Sequence, residues 1–206
     1  MIRSILVANR GEIAVRIIRS AHERGIRAIA VYSEPDRLAP HVLAADEAHH
    51  IGPAPSSESY LRTEGLIEVA KATGADAIHP GYGFLSERSS FAKAVEDEGI
   101  IFVGPSSEVI EVMGDKIQAR RYMQDAGIPV IPGITEPVST PKAALEIAHE
   151  IGFPVLLKAA AGGGGKGMRV VEEPGELNAA FETAQREAVA AFGDGTLYLE
   201  QALKQP

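Results

Sequence analysis

The sequence predicts an α/β protein in two parts, a parallel-sheet domain over residues 1–127 and a smaller α+β domain over 128–206. Three observations carry this reading. The chain opens with an apolar, β-branched run, an amphipathic run and a second apolar run; a Gly/Pro cluster at Gly127–Gly133 then breaks the pattern; and beyond it two short apolar runs flank four consecutive glycines.

Ile2–Ala8 (IRSILVA) reads as a buried strand. Asn9-Arg10-Gly11 turns it, and Ile13, Ile17, Ile18 and Ala21 fall at the spacing of an amphipathic helix over Glu12–Glu23, stopped by Gly25. Arg27–Ser33 is a second strand. A βαβ unit implies a right-handed crossover and a parallel sheet, so the first domain is expected to be Rossmann-like. Its first turn carries one glycine, Gly11, where a dinucleotide fold needs G-x-G-x-x-G, and an NAD role is discounted. Glu34 begins a polar excursion. His49 and His50, adjacent on an extended segment, point to opposite faces and do not make a joint metal site.

Tyr60–Thr73 is a further amphipathic helix, closed by Gly74, and Ala75–His79 a short strand. Behind it, His79-Pro80-Gly81-Tyr82-Gly83-Phe84-Leu85-Ser86-Glu87 sets two glycines and two aromatics at the C-terminal end of a parallel strand, where open α/β sheets take ligands. A turn with its aromatics packed into the core is the alternative. Ser90–Glu98 is helical, Ile100–Val103 is a strand, and Ser106 or Ser107 caps a helix through Met113. Lys116–Ala126 follows as a helix with a lysine in its first turn, where acids are favoured; Lys116 is aimed either at an anion or at solvent.

Past the Gly/Pro cluster come a helix over Thr140–Ile151, the stretch Pro154–Val171 (PVLLKAAAGGGGKGMRVV), a long helix over Glu176–Phe192 and a last strand at Leu197–Glu200. Gly162–Gly165 carry no Cβ to hold a ligand away from the backbone amides, and Lys158 and Lys166 bring charge to the same stretch. This is not a Walker A loop: Gly165-Lys166 is followed by Gly167 instead of Ser or Thr, and Met168–Val171 reads as a strand where that loop opens a helix. The expected unit is a strand, glycine loop and strand that closes over phosphates. Four adjacent glycines cost roughly 0.5–1 kcal/mol each in backbone entropy, which an ordinary surface turn does not require. With no side chains to pack, the loop is expected to order on nucleotide binding.

Composition narrows the function. The 206 residues are 45% hydrophobic, with no apolar run near twenty residues and no secretory signal pattern, so no membrane association and a cytoplasmic location are expected. Zero cysteines exclude disulfides, thiolate metal sites and a cysteine nucleophile. A net charge of −8 opposes a nucleic-acid partner, while the lysines and arginines clustered at the glycine loop and around Lys116, Arg120 and Arg121 suit a small anionic ligand.

In this order the motifs resemble the ATP-grasp enzymes and, among them, the biotin carboxylase component of biotin-dependent carboxylases. LVANRGEIAVRIIR (Leu6–Arg19), HPGYGFLSE (His79–Glu87), FVGPS (Phe102–Ser106), MGDK (Met113–Lys116) and LLKAAAGGGGKGMRVV (Leu156–Val171) carry the resemblance across the whole chain. It implies an ATP-dependent ligase that makes carboxyphosphate from bicarbonate and ATP, then carboxylates N1 of biotin on a carrier domain. A carboxyltransferase component would be its partner and a homodimer its assembly.

The resemblance places Lys116, Lys158, Gly164 and Gly165 around the phosphates and adenine of ATP. It gives Glu200, Gln201, Ala202 and Leu203 to adenine through backbone groups, and sets Tyr82 and Gly83 beside the biotin ureido ring. The ligands for Mg²⁺ and the catalytic residues are expected beyond Pro206. No catalytic or metal-binding residue is therefore expected within 1–206, and this stretch alone is expected not to turn over. Lys166 stands where many relatives carry arginine, and Gln201 where lysine is common. Two alternatives stay open: another ATP-grasp ligase, which HPGYGFLSE opposes, and a non-catalytic nucleotide-binding or assembly fragment.

Overall fold

The computed structural model describes residues 1–134, 136–160 and 167–204, apart from the side chains of Lys116 and Ile117. Its first unit, Met1–Gly114, is built on five parallel strands in the order β3-β2-β1-β4-β5, comprising β1 (Ser4–Val7), β2 (Arg27–Ser33), β3 (Glu47–Gly52), β4 (Ala77–His79) and β5 (Ile101–Phe102). β1 is buried at every position because helices cover both sheet faces, as parallel sheets require. α1 (Gly11–His22) lays Ile13, Ile17 and Ile18 on the face carrying Ile5, Val7 and Ala30. α3 (Thr63–Thr73) and α4 (Ser89–Asp97) lay Leu66, Phe91 and Val95 on the face carrying Leu6, Ile29 and Ile78. The short α2 (Pro40–Ala44) buries His41, and α5 (Ser107–Gly114) closes the unit.

Of the two serines expected to cap α5, Ser106 does so, its Oγ accepting from the Val109 N–H at 3.4 Å; Ser107 instead bonds Glu96. β3 is a sheet strand the sequence did not announce. Its residues alternate poorly, and all but Ile51 keep some exposure, because β3 is the edge of the sheet.

The second unit, Asp115–Pro206, begins thirteen residues before the expected boundary at 127/128. α6 (Lys116–Asp125) is bonded to the residues on its C-terminal side: the Ile128 N–H donates to the Met123 carbonyl at 2.9 Å, Arg120 donates to the Ile131 carbonyl, and Arg121 pairs with Glu136. Gly127 and Pro129 mark a turn inside this unit.

The rest of the unit is built on an antiparallel sheet of order β7-β6-β8, from β6 (Val155–Ala159), β7 (Arg169–Val171) and β8 (Leu197–Gln201). α7 (Pro141–Ile151), capped by Thr140, and α8 (Leu177–Phe192) cover one face, where Ala144, Ala148, Phe181, Ala184 and Ala188 meet Val155, Leu157, Leu197 and Leu199. No helix among the described residues is long and apolar enough to cross a membrane.

Candidate functional site

Two sets of residues, one in each unit, combine polar chemistry with special backbone. In the first unit, β1 and β4 are neighbours while their following connections run to opposite faces, which makes the C-terminal edge between them the switch point of the sheet. Asn9, at the end of β1, is buried and donates through Nδ2 to the Pro80 carbonyl at 2.7 Å and the Tyr82 carbonyl at 2.9 Å. Gly81 permits this approach: its φ is +68°, and a Cβ would stand 2.7 Å from Asn9 Nδ2. His79 Nδ1 accepts from the Gly81 N–H at 3.0 Å, so this ring is held as a neutral acceptor, and burial with the nearby Arg16 charge lowers its pKa.

The two aromatics of this loop part company. Phe84 packs against the core, face to face with Tyr60, as the structural alternative expected, while Tyr82 projects, 60% exposed. The Tyr82 hydroxyl donates to Glu12 in the first turn of α1, and that carboxylate raises its pKa. Gly83 is next, at φ +64°.

The carboxylate just past the end of β2 is engaged within the unit. Asp36, near where such folds place the ribose carboxylate, accepts instead from Tyr60, Ser33 and Arg10. Nor do the paired histidines meet: His49 Nε2 lies 2.6 Å from Glu47 Oε1, while His50 approaches the Tyr32 ring. Among the described residues no three His, Asp or Glu side chains converge on a metal position.

In the second unit the sheet face away from α7 and α8 carries Leu156, Lys158, Tyr198 and Glu200. Lys158 lies cross-strand from Tyr198 and diagonal to Glu200, and the Lys158 ammonium pairs with the Glu200 carboxylate. The Tyr198 hydroxyl is pushed up to about 12 by burial and by the Glu200 charge, against the pull of Arg120. A half-buried lysine, a buried carboxylate and a buried phenol thus share one side of a small sheet, with the Arg120 charge acting on the phenol.

Sequence reasoning singled out Lys158 and the cluster around Arg120, but not Tyr198 or the side-chain pairing of Glu200. The alternation of Tyr198 with Glu200 at i, i+2 was the available signal.

Gln201 ends β8, Ala202 and Leu203 follow it, and two of their expected donors are already engaged. The Gln201 N–H donates to the Pro132 carbonyl at 2.7 Å and the Ala202 N–H to the Pro154 carbonyl at 2.9 Å. Lys116 stands at the head of α6, its side chain outside the described residues, as are Gly164, Gly165 and Lys166 and with them the expectation about the glycine loop.

The family description "Biotin carboxylase, N-terminal domain" matches residues 1–110, and "Carbamoyl-phosphate synthase L chain, ATP binding domain" matches residues 115–206. The chain belongs to the biotin carboxylase family. A biotin carboxylase of Halalkalibacterium halodurans is 52% identical over 206 residues, 100% of this chain and 46% of that relative. The Campylobacter jejuni biotin carboxylase, solved as a complex with β-γ-ATP, superposes with a TM-score of 0.88 at 51% identity, covering 100% of this chain and 46% of that one. The biotin carboxylase domain dimer of Hydrogenobacter thermophilus 2-oxoglutarate carboxylase, solved with MgADP, ADP and bicarbonate, gives 0.85 at 48%, covering 99% and 45%. The chain spans a little under half the length of these family members.

Proposed function

We propose that this chain supplies the nucleotide-binding half of an ATP-dependent biotin carboxylase. In that reaction a bicarbonate oxygen attacks the γ-phosphorus of ATP and releases ADP; the carboxyl group of the resulting carboxyphosphate then passes to N1 of biotin, releasing phosphate. The observation that carries the reading is the Lys158–Glu200 pair on the helix-free face of the β6–β8 sheet. Phosphoryl transfer depends on positioning and charge neutralisation, and a strand lysine already oriented by a carboxylate provides both.

In this reading Lys158 meets the nucleotide phosphates, together with Lys116, Gly164 and Gly165. Adenine lies against Glu200–Leu203, using main-chain groups that strand pairing leaves over. Tyr82 and Gly83 border the biotin ureido ring. Mg²⁺ is assigned no ligand within 1–206; it accompanies ATP and is held by residues outside the matched half of the relatives. Bicarbonate, a biotinylated carrier domain and a carboxyltransferase are the partners, the assembly is a homodimer, and the location is cytoplasmic. The bound MgADP and bicarbonate, and the dimer, of the H. thermophilus relative support the nucleotide, metal, bicarbonate and assembly parts of this reading.

The test is ATP cleavage in the presence of bicarbonate, with and without free biotin, on residues 1–206 beside the full-length protein. Biotin-stimulated cleavage is expected for the full-length protein alone. Its absence there overturns the reading in favour of another ATP-grasp ligase, and its presence in 1–206 overturns the assignment of catalysis to the remainder.

A further inference from the structure

Tyr60 belongs to none of the family motifs, yet it is fully buried and held from every side. Its hydroxyl donates to Asp36 Oδ2 at 2.7 Å and accepts from the Ser33 N–H at 3.1 Å. Its ring lies on that of Phe84, with centroids 5.2 Å apart and planes 3° from parallel. The Arg10 guanidinium stands 5.4 Å from the Tyr60 centroid and 5.7 Å from that of Phe84. Asp36 Oδ2 also accepts from Ser33 Oγ at 3.0 Å and Arg10 Nη1 at 3.2 Å. One carboxylate thus anchors both a guanidinium and the ring it rests against. Burial alone would raise the Asp36 pKa, but the hydrogen bonds from Tyr60, Ser33 and Arg10 outweigh it, so the anchor is ionised at neutral pH.

Phe84 needs such support. Its φ of 41° is the only positive one at a non-glycine position among the described residues. A bulky residue keeps that backbone only where its surroundings over-determine it. An ordinary aromatic stack in a core requires neither a carboxylate behind it nor a cation against it, and burying a carboxylate is costly unless its bonds are made.

We propose that Asp36, Tyr60 and Arg10 are positioning residues for the 82–84 segment, locking Phe84 so that Tyr82 and Gly83 are presented in fixed geometry to the biotin ring. This rests on the assignment of Tyr82 and Gly83 to biotin.

Tyr60→Phe keeps the ring and removes only the hydroxyl. Arg10→Lys, at a side chain 44% exposed, keeps the charge but loses the plane that stacks. Two readouts on the full-length protein judge them: hydrogen exchange at the Gly81 and Ser86 amides, which donate to His79 Nδ1 and to the Gly83 carbonyl, and the KM for free biotin beside that for ATP. Each variant is expected to speed exchange at these amides about tenfold, the worth of one lost hydrogen bond, and to raise the biotin KM several-fold with the ATP KM unchanged. Unchanged exchange in both variants overturns the positioning role, whatever the enzyme does. Faster exchange with an unaltered biotin KM overturns the link to biotin. If the unmodified protein shows no biotin dependence at all, the proposed function falls, and exchange still decides whether the network holds the loop.

Discussion

Lys158 and Glu200 lie diagonally across the β6–β8 register, on the same face of the sheet, and their side chains form an ion pair. The pair is mostly shielded, with side-chain exposures of 24% and 10%. Removing one member therefore strands the other, and that cost is separable from any loss of ligand contact.

Lys158→Gln is expected to lower stability by about 1–2 kcal/mol, less than a fully buried pair would lose, because the Lys158 side chain already keeps 24% of its surface in solvent. It should also weaken ATP at least about tenfold, the effect of a lost charge-assisted hydrogen bond. Combining it with Glu200→Gln should restore most of the stability and none of the affinity. Thermal unfolding and nucleotide titration on the same samples check this; recovery of affinity in the double variant would remove Lys158 from the phosphate site.

Gly133→Ala tests the backbone beside the pair. A Cβ at Gly133 would sit 2.8 Å from the Leu199 carbonyl oxygen and 2.9 Å from Glu200 Cα and Cβ, all on β8. The segment is pinned there by the Ile134 N–H on the Leu199 carbonyl and the Gln201 N–H on the Pro132 carbonyl, so it cannot simply retreat. A loss of about 1–3 kcal/mol is expected in denaturant unfolding. Gly114→Ala, where a Cβ meets nothing within 4 Å, is the control and should be near neutral.

Much of this architecture was legible because period and burial agreed. Ile13, Ile17 and Ile18 could only face one way, and that orientation set the β1–α1–β2 crossover. The polar edge strand Glu47–Gly52 gave no such signal, since an edge in solvent needs no apolar alternation. The boundary was misplaced because Gly127 and Pro129 are conspicuous, whereas α6 is assigned to the second unit by bonds from Met123, Arg120 and Arg121 to residues further on. Lys158 was legible from its place before the glycine run. The Glu200 carboxylate was not, because strand register decides which side chains meet and no local pattern encodes it. Tyr60 meets Phe84, and Asp36 meets Tyr60, only through the parallel order of the sheet.

Gly81→Ala should uncouple the loop from the sheet. The substitution combines a φ of +68° with a Cβ 2.7 Å from Asn9 Nδ2, and Asn9 is what ties Pro80 and Tyr82 to β1. A stability loss of about 1–3 kcal/mol is expected, with faster exchange at Ser86. Full stability in the variant would show that Asn9 can release the loop without cost.

Acid should weaken the first unit well above the range where carboxylates titrate. His41 is completely buried, with Nε2 3.2 Å from the Val31 carbonyl; burial lowers its pKa below the ordinary 6.5, its hydrogen bond to Val31 and the Asp36 charge oppose this, and Arg10 adds to the lowering. His79 is lowered by burial and by Arg16. In the unfolded chain both titrate near 6.5, so below that value the unfolded state binds more protons than the folded one. Stability contributed by the two neutral rings is complete above about pH 6.5 and declines as the pH falls from there toward their folded values, by at most about 1.4 kcal/mol per pH unit for each group. Asp36, lowered from 3.8, adds a separate loss only below that pH. His41→Gln keeps a donor for Val31 and removes the titration, so urea unfolding between pH 7.5 and 5.5 should show a shallower slope than the unmodified chain, with His79 accounting for the remainder. An unchanged slope would mean that the ring of His41 accepts its proton without leaving the fold.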